Sequence, residues 1–126
     1  MSRTIIVASD REEVLVPLVA WLQAAGYVAV ECRTSCELVS HDPPLLPRAF
    51  LIDPDLDGGR GIEVALQLHT DPTSRHIPIL FLVPARPEVP PFYYRFRPED
   101  VGFLTRPYGH GEVEAIIGSL FAKRER

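Results

Sequence analysis

The segment Ala49-Phe50-Leu51-Ile52-Asp53-Pro54-Asp55-Leu56-Asp57-Gly58-Gly59 holds four apolar residues in a row, then an aspartate, then an acidic, glycine-rich run. Four consecutive apolar residues leave no polar face, so the first part reads as a strand buried on both sides. The strand stops at Asp53, and the run that follows has the composition of a loop. From Gly61 to His69 the pattern predicts a helix, with Ile62, Ala65, Leu66 and His69 on one side.

The same strand-then-helix grammar extends in both directions. Thr4-Ile5-Ile6-Val7-Ala8 is a second apolar, β-branched run, closed by Ser9-Asp10. Leu15, Leu18, Val19 and Leu22 then repeat at helical spacing up to Gly26, a C-terminal cap. Pro17 falls inside that pattern and should kink the helix or remove one hydrogen bond of its ladder. Tyr27 to Glu31 reads as a strand, and Thr34 to Ser40 as a short helix cut off by Pro43, Pro44 and Pro47. Downstream, Asp71 to Ser74 is a turn and Ile77 to Val83 a strand. Pro84, Pro87, Pro90, Pro91 and Pro98 forbid a full helix after it, leaving a loop with one helical turn near Phe92–Phe96. Val101 to Thr105 is a fifth strand, and Val113, Ile116, Ile117, Leu120 and Phe121 mark a last helix. Such alternation predicts an α/β domain: an open parallel sheet covered on both faces.

With 126 residues, the whole chain, 1–126, fits one domain. The formal net charge of −4 argues against nucleic acid as a partner, because phosphate binding needs clustered Lys and Arg. The basic cluster Lys123, Arg124 and Arg126 reads as a solvated tail. No apolar run is long enough to span a bilayer, and the first residues carry no leader pattern, so a cytoplasmic location and no membrane partner are expected. Cys32 and Cys36 lack metal or redox spacing and read as thiols. His41, His69, His76 and His110 share no metal spacing and read as surface or turn residues.

In open α/β sheets, ligands sit at the carboxyl ends of the strands. Ser9 and Asp10, Asp53, and Arg106 fall there. Asp10 and Asp53 suit a hard cation such as Mg²⁺, which takes a few oxygen ligands and keeps several waters. A carboxylate can also attack phosphorus to form an acyl phosphate, and Arg106 would neutralise the incoming charge.

In these segments the chain resembles the response-regulator receiver domain of two-component signalling, over its whole length. Ile5-Ile6-Val7-Ala8-Ser9-Asp10 resembles the family's first strand and acidic pair. Phe50-Leu51-Ile52-Asp53 resembles the strand that carries the phosphoacceptor, and Gly61-Ile62-Glu63 the start of the helix after it. Ile77 to Leu82 resembles the fourth strand, and Gly102 to Tyr108 the segment ending in Lys-Pro-Phe. The resemblance implies a flavodoxin-like, doubly wound five-stranded sheet in the order 2-1-3-4-5, with the family's fourth helix short or disrupted. It implies a non-enzymatic phosphorelay module. Asp53 would accept phosphoryl, and Mg²⁺ would be held by Asp10, Asp53 and the backbone carbonyl of Asp55. Arg106 would be the charge partner and Phe103 the switch aromatic, with a bond before Pro107 that is cis in the family. Partners would be a sensor histidine kinase or another signalling protein, with a homodimer open.

Departures from the pattern bear on the mechanism. Ser9 replaces one acid of the pair, which should weaken Mg²⁺ binding. Val83 stands where the family has a hydroxyl, Arg106 replaces Lys, and Asp57 replaces Pro. A hydrogen bond to a charged group contributes about 1.5–3 kcal/mol. A full two-state swing needs about 5.5 kcal/mol of differential binding, so losing the hydroxyl removes much of the coupling. An atypical member that works without phosphate, as a protein-interaction module, is the main alternative. The rings of Phe92, Tyr93, Tyr94 and Phe96 would then serve a partner, or else cover the sheet in place of the missing helix. Two weaker rivals start from Asp53-Pro54-Asp55-Leu56-Asp57. A haloacid-dehalogenase-type phosphatase would need that motif on its first strand and a later Lys, yet the only Lys is Lys123. An EF-hand would need Glu where Val64 stands.

Overall fold

The computed structural model describes residues 3–35, 38, 47–84, 91–106 and 110–124, without the side chains of Pro84, Arg106, His110 and 120–124. Five strands form one parallel sheet: β1 (Thr4–Ala8), β2 (Val28–Cys32), β3 (Ala49–Ile52), β4 (Ile79–Pro84) and β5 (Val101–Arg106), in the order β2-β1-β3-β4-β5. Among the described residues the α-helices with defined bounds are α1 (Glu12–Ala24), α2 (Leu56–Thr70) and α3 (His110–Arg124). The expected sheet order is the observed one. Most of the short helix expected over Thr34 to Ser40 lies outside the described residues, as does the bond before Pro107.

Alternate residues of each inner strand feed separate cores on the two faces. Ile5, Val7, Leu51, Leu80, Leu82 and Leu104 pack with α1 and α3. Ile6, Ala8, Phe50, Ile52, Ile79, Phe81, Val83 and Val101 pack with α2 and with Phe96. Two buried faces require continuous apolar runs, which is why the central strands show no polar alternation. The edge strand β2 has mostly exposed or half-buried residues, in keeping with its weaker pattern.

Helix α1 buries Val14, Leu15, Leu18, Val19 and Leu22 and runs through Pro17 unbroken. The carbonyl that loses its N–H donor belongs to exposed Glu13, on the water side of the helix, where solvent can take the donor's place. Gly26, at φ 92°, turns the chain out of the helix. Arg3 closes that turn by donating to the Gly26 carbonyl at 2.8 Å.

The proline-rich segment becomes two 3₁₀ turns, Pro91–Arg95 and Pro98–Asp100, the first close to the expected turn. Residues 85–90 lie outside the description. Phe96 is buried; Phe92 and Tyr93 are half-buried. Phe92 and Phe96 meet Phe81 edge-on at 4.8 and 5.2 Å, so these rings cover the sheet. Tyr94 differs, standing 77% exposed.

His69 corrects its reading as a surface residue: it is buried at the end of α2. Its Nε2 accepts from the Arg97 N–H at 3.0 Å, and its ring meets Phe96 at 5.0 Å. Arg97 also donates to the carbonyls of His69 and Arg75 and to Asp100 at 2.7 Å. This network ties the 3₁₀ segment to α2.

Candidate functional site

Because all strands run parallel, β1, β3 and β5 end on one edge of the sheet. The Asp53 N–H donates to the Ala8 carbonyl at 2.8 Å and the Ser9 N–H to the Cys32 carbonyl at 3.0 Å, extending the pairing past the strand ends. Ser9 and Asp53 therefore lie side by side, and the Ser9 hydroxyl donates to Asp53 Oδ2 at 3.0 Å. Both residues are fully buried, each 0% exposed.

Both oxygens of the Asp53 carboxylate also accept from the two adjoining loops. Asp55 N–H donates to Oδ1 at 3.0 Å. Arg11, the N-cap residue of α1, donates to Oδ2 from Nε at 3.2 Å and from Nη2 at 3.1 Å. Its Nη2 lies 3.8 Å from Asp55 Oδ2. The Arg11 N–H meanwhile donates to the Ser9 hydroxyl oxygen at 3.2 Å, which fixes the start of the side chain beside its target. Burial alone would lower the Arg11 pKa. The charge of Asp53, its hydrogen bond, and the charges of Asp55 and Glu13 outweigh burial and raise it.

Asp10 is exposed and points elsewhere: its Oδ2 accepts from the Asp57 N–H at 3.2 Å. Asp57 is the one described non-glycine residue in the left-handed region, at φ 52°. Its carboxylate accepts from the N–H and the hydroxyl of Ser35, both at 2.8 Å. Those two donors, the N–H first, hold its pKa below the usual aspartate value. The loops after β1, β2 and β3 are thus laced together by Arg11–Asp53, Asp10–Asp57 and Ser35–Asp57.

Val83 is buried in β4 among the second core. Phe103 is half-buried in β5, its ring 4.6 Å from Tyr93. Arg106 ends β5 on the same sheet edge, opposite Pro84; its side chain lies outside the described residues. Arg11 and Ser35 are the members of the site that the sequence reading missed. The available signal was a basic residue directly after Ser9-Asp10.

No family model and no curated protein matches the chain. Solved structures do. A Chloroflexus aurantiacus protein described as a response regulator has TM-score 0.81 and 21% identity, covering 97% of this chain and 99% of its own. The chemotaxis response regulator CheY4 of Vibrio cholerae has TM-score 0.77 and 15% identity, with 95% and 99% covered. The receiver domain of a Pseudomonas aeruginosa sensor histidine kinase, described with a magnesium ion coordinated in its active site cleft, has TM-score 0.77 and 16% identity, with 97% and 99% covered. Sheet order, helix placement and near-complete coverage agree, and over almost its whole length this chain has the fold of the response-regulator receiver domain.

Proposed function

We propose that the chain is an atypical receiver of two-component signalling that acts through protein–protein contacts without passing through an aspartyl phosphate. One observation carries this reading: the Asp53 carboxylate, in the acceptor position, is wholly buried and ion-paired to Arg11. A nucleophile must present a lone pair to phosphorus. Here Oδ2 accepts from Ser9 and twice from Arg11, Oδ1 accepts from Asp55, and neither oxygen reaches solvent. Val83 adds to this, since it offers no hydroxyl to a phosphoryl oxygen. The position of Asp53, after the third strand of the sheet, supports a receiver-type module over a phosphatase. Partners on this reading are a histidine kinase or another signalling protein, with exposed Tyr94 part of the surface on offer.

The opposing reading, phosphoryl acceptance on Asp53 with Mg²⁺ held by Asp10, Asp53 and the Asp55 carbonyl, is favoured by the place of Asp53 on the sheet edge. Incubation with acetyl phosphate and Mg²⁺, read by intact-protein mass and amide exchange, separates the two. No adduct on Asp53 and unchanged exchange are expected. A stoichiometric adduct with altered exchange around β4 and β5 establishes the opposing reading.

A further inference from the structure

The side chains at the sheet edge do not fit a divalent cation as they stand. Magnesium requires oxygen lone pairs arranged around it. Asp53 Oδ2 already accepts from three N–H and O–H donors, Asp10 Oδ2 accepts from the Asp57 N–H, and the Asp55 carbonyl accepts from the Gly58 and Gly59 N–H groups at 3.1 and 3.3 Å. Among the described residues no three His, Cys, Asp or Glu side chains are grouped to hold a metal ion.

The positive charge that two neighbouring carboxylates call for is nevertheless there. The Arg11 guanidinium spans Asp53 and Asp55, at 3.1 and 3.8 Å. We infer that Arg11 is the resident cation of this site: it takes the electrostatic place of a divalent ion, so the chain neither needs nor takes Mg²⁺ at Asp53.

Three features support the exchange. Ser9 sets a neutral hydroxyl against Asp53, so position 9 adds no further negative charge for Arg11 to balance. The guanidinium is planar, permanently charged and presents a fork of donors, whereas a hydrated ion would have to lose waters to reach a buried oxygen. Arg11 is also tethered: its own N–H is bonded to Ser9, so the cation is at high effective concentration and a free ion must compete against it.

The inference rests on the receiver-type reading of Asp53 and is tested separately from it. The full chain, Arg11→Ala and Arg11→Lys are titrated with Mg²⁺ by calorimetry and with Mn²⁺ by electron paramagnetic resonance. Arg11→Ala should show saturable binding, at least about tenfold tighter than the limit set by the natural chain and Arg11→Lys, neither of which should saturate. Adding Asp53→Asn to Arg11→Ala should abolish the gain. If Arg11→Ala does not fold, Arg11→Gln replaces it, with the same expectation. Equal binding in all chains, binding in none, or a gain that survives Asp53→Asn overturns the inference. An acyl phosphate formed by the natural chain without metal overturns the phosphate-independent reading and leaves Arg11 as the cation. Mg²⁺ binding by the natural chain without acyl phosphate does the reverse.

Discussion

At the scale of the residue, the Arg11–Asp53 pair is asymmetric. Asp53 is fully buried, whereas the Arg11 side chain is 33% exposed. Removing one partner of a buried pair is costly because the other charge is left without compensation. Arg11→Ala strands a carboxylate that only Ser9 and the Asp55 N–H can serve, and should cost about 2–3 kcal/mol, reduced from the fully buried case by the solvent near Arg11. Asp53→Asn removes the buried charge itself and leaves a guanidinium that can swing into water, but its amide faces donors that the carboxylate served, so it should cost about 1–2 kcal/mol, less than Arg11→Ala. Urea unfolding of the two variants checks this; equal losses would show that Asp53 is not the member dependent on its partner. Asp10 and Asp53 were legible as sheet-edge residues because each closes an apolar run. Arg11 was not, because its role depends on β1 and β3 being neighbours, which brings residues 42 apart in sequence within reach. Ser35 was hidden for the same reason: nothing local to it announces a partner at Asp57.

At the scale of the element, two junctions hold the functional edge. In α2, Asp57, Gly58 and Gly59 are all left-handed, and the regular helix starts only after them, close to the Gly61 start expected from the sequence. Gly61 is there for closeness: a methyl group on it would run into the Asp53 carbonyl oxygen, with the Pro54 oxygen and Leu56 Cβ each at 3.2 Å. Gly61→Ala should therefore cost about 1–3 kcal/mol despite alanine's better helix propensity. An unchanged or higher melting temperature would refute that packing. The second junction is His69, whose burial was not readable from α2 alone because Phe96 and Arg97, from a segment without helical periodicity, cover it. Its pKa is lowered by burial first and by the charge of Arg97 next, partly offset by Asp100 and Glu99. The folded ring therefore binds fewer protons than the unfolded one. Stability held above the ordinary value of 6.5 is lost as pH falls from there toward the lowered folded value. The urea midpoint should drop as pH falls through 6.5 and below, and His69→Gln, which keeps an acceptor for the Arg97 N–H, should flatten that drop. An equally steep profile in the variant would assign the loss to other groups.

At the scale of the whole molecule, the layered architecture was legible because alternating buried runs and amphipathic segments have few parallel arrangements open to them. The least legible part was the proline-rich segment, whose 3₁₀ turns depend on tertiary contacts with Phe81 and His69. The sheet carries both cores through the same strands. Leu51 faces the α1–α3 side and its neighbours Phe50 and Ile52 face the α2 side, so neither core can loosen without disturbing a strand that the other needs. This coupling leads to a single cooperative transition. The lone tryptophan, Trp21, packs against the first core, while Tyr93 and Phe103 pack against the second. Trp21 fluorescence and near-ultraviolet circular dichroism should therefore trace the same urea curve. Leu51→Ala should cost about 2–5 kcal/mol and Phe81→Ala about 3–5 kcal/mol, each shifting both signals together with an unchanged slope. Phe81 is the sharper test, because it is the ring on which Phe92 and Phe96 rest. If Phe81→Ala releases the near-ultraviolet signal at a lower urea concentration than the Trp21 signal, the 3₁₀ segment and α2 form a separately unfolding unit, and the two faces are not energetically joined through the sheet.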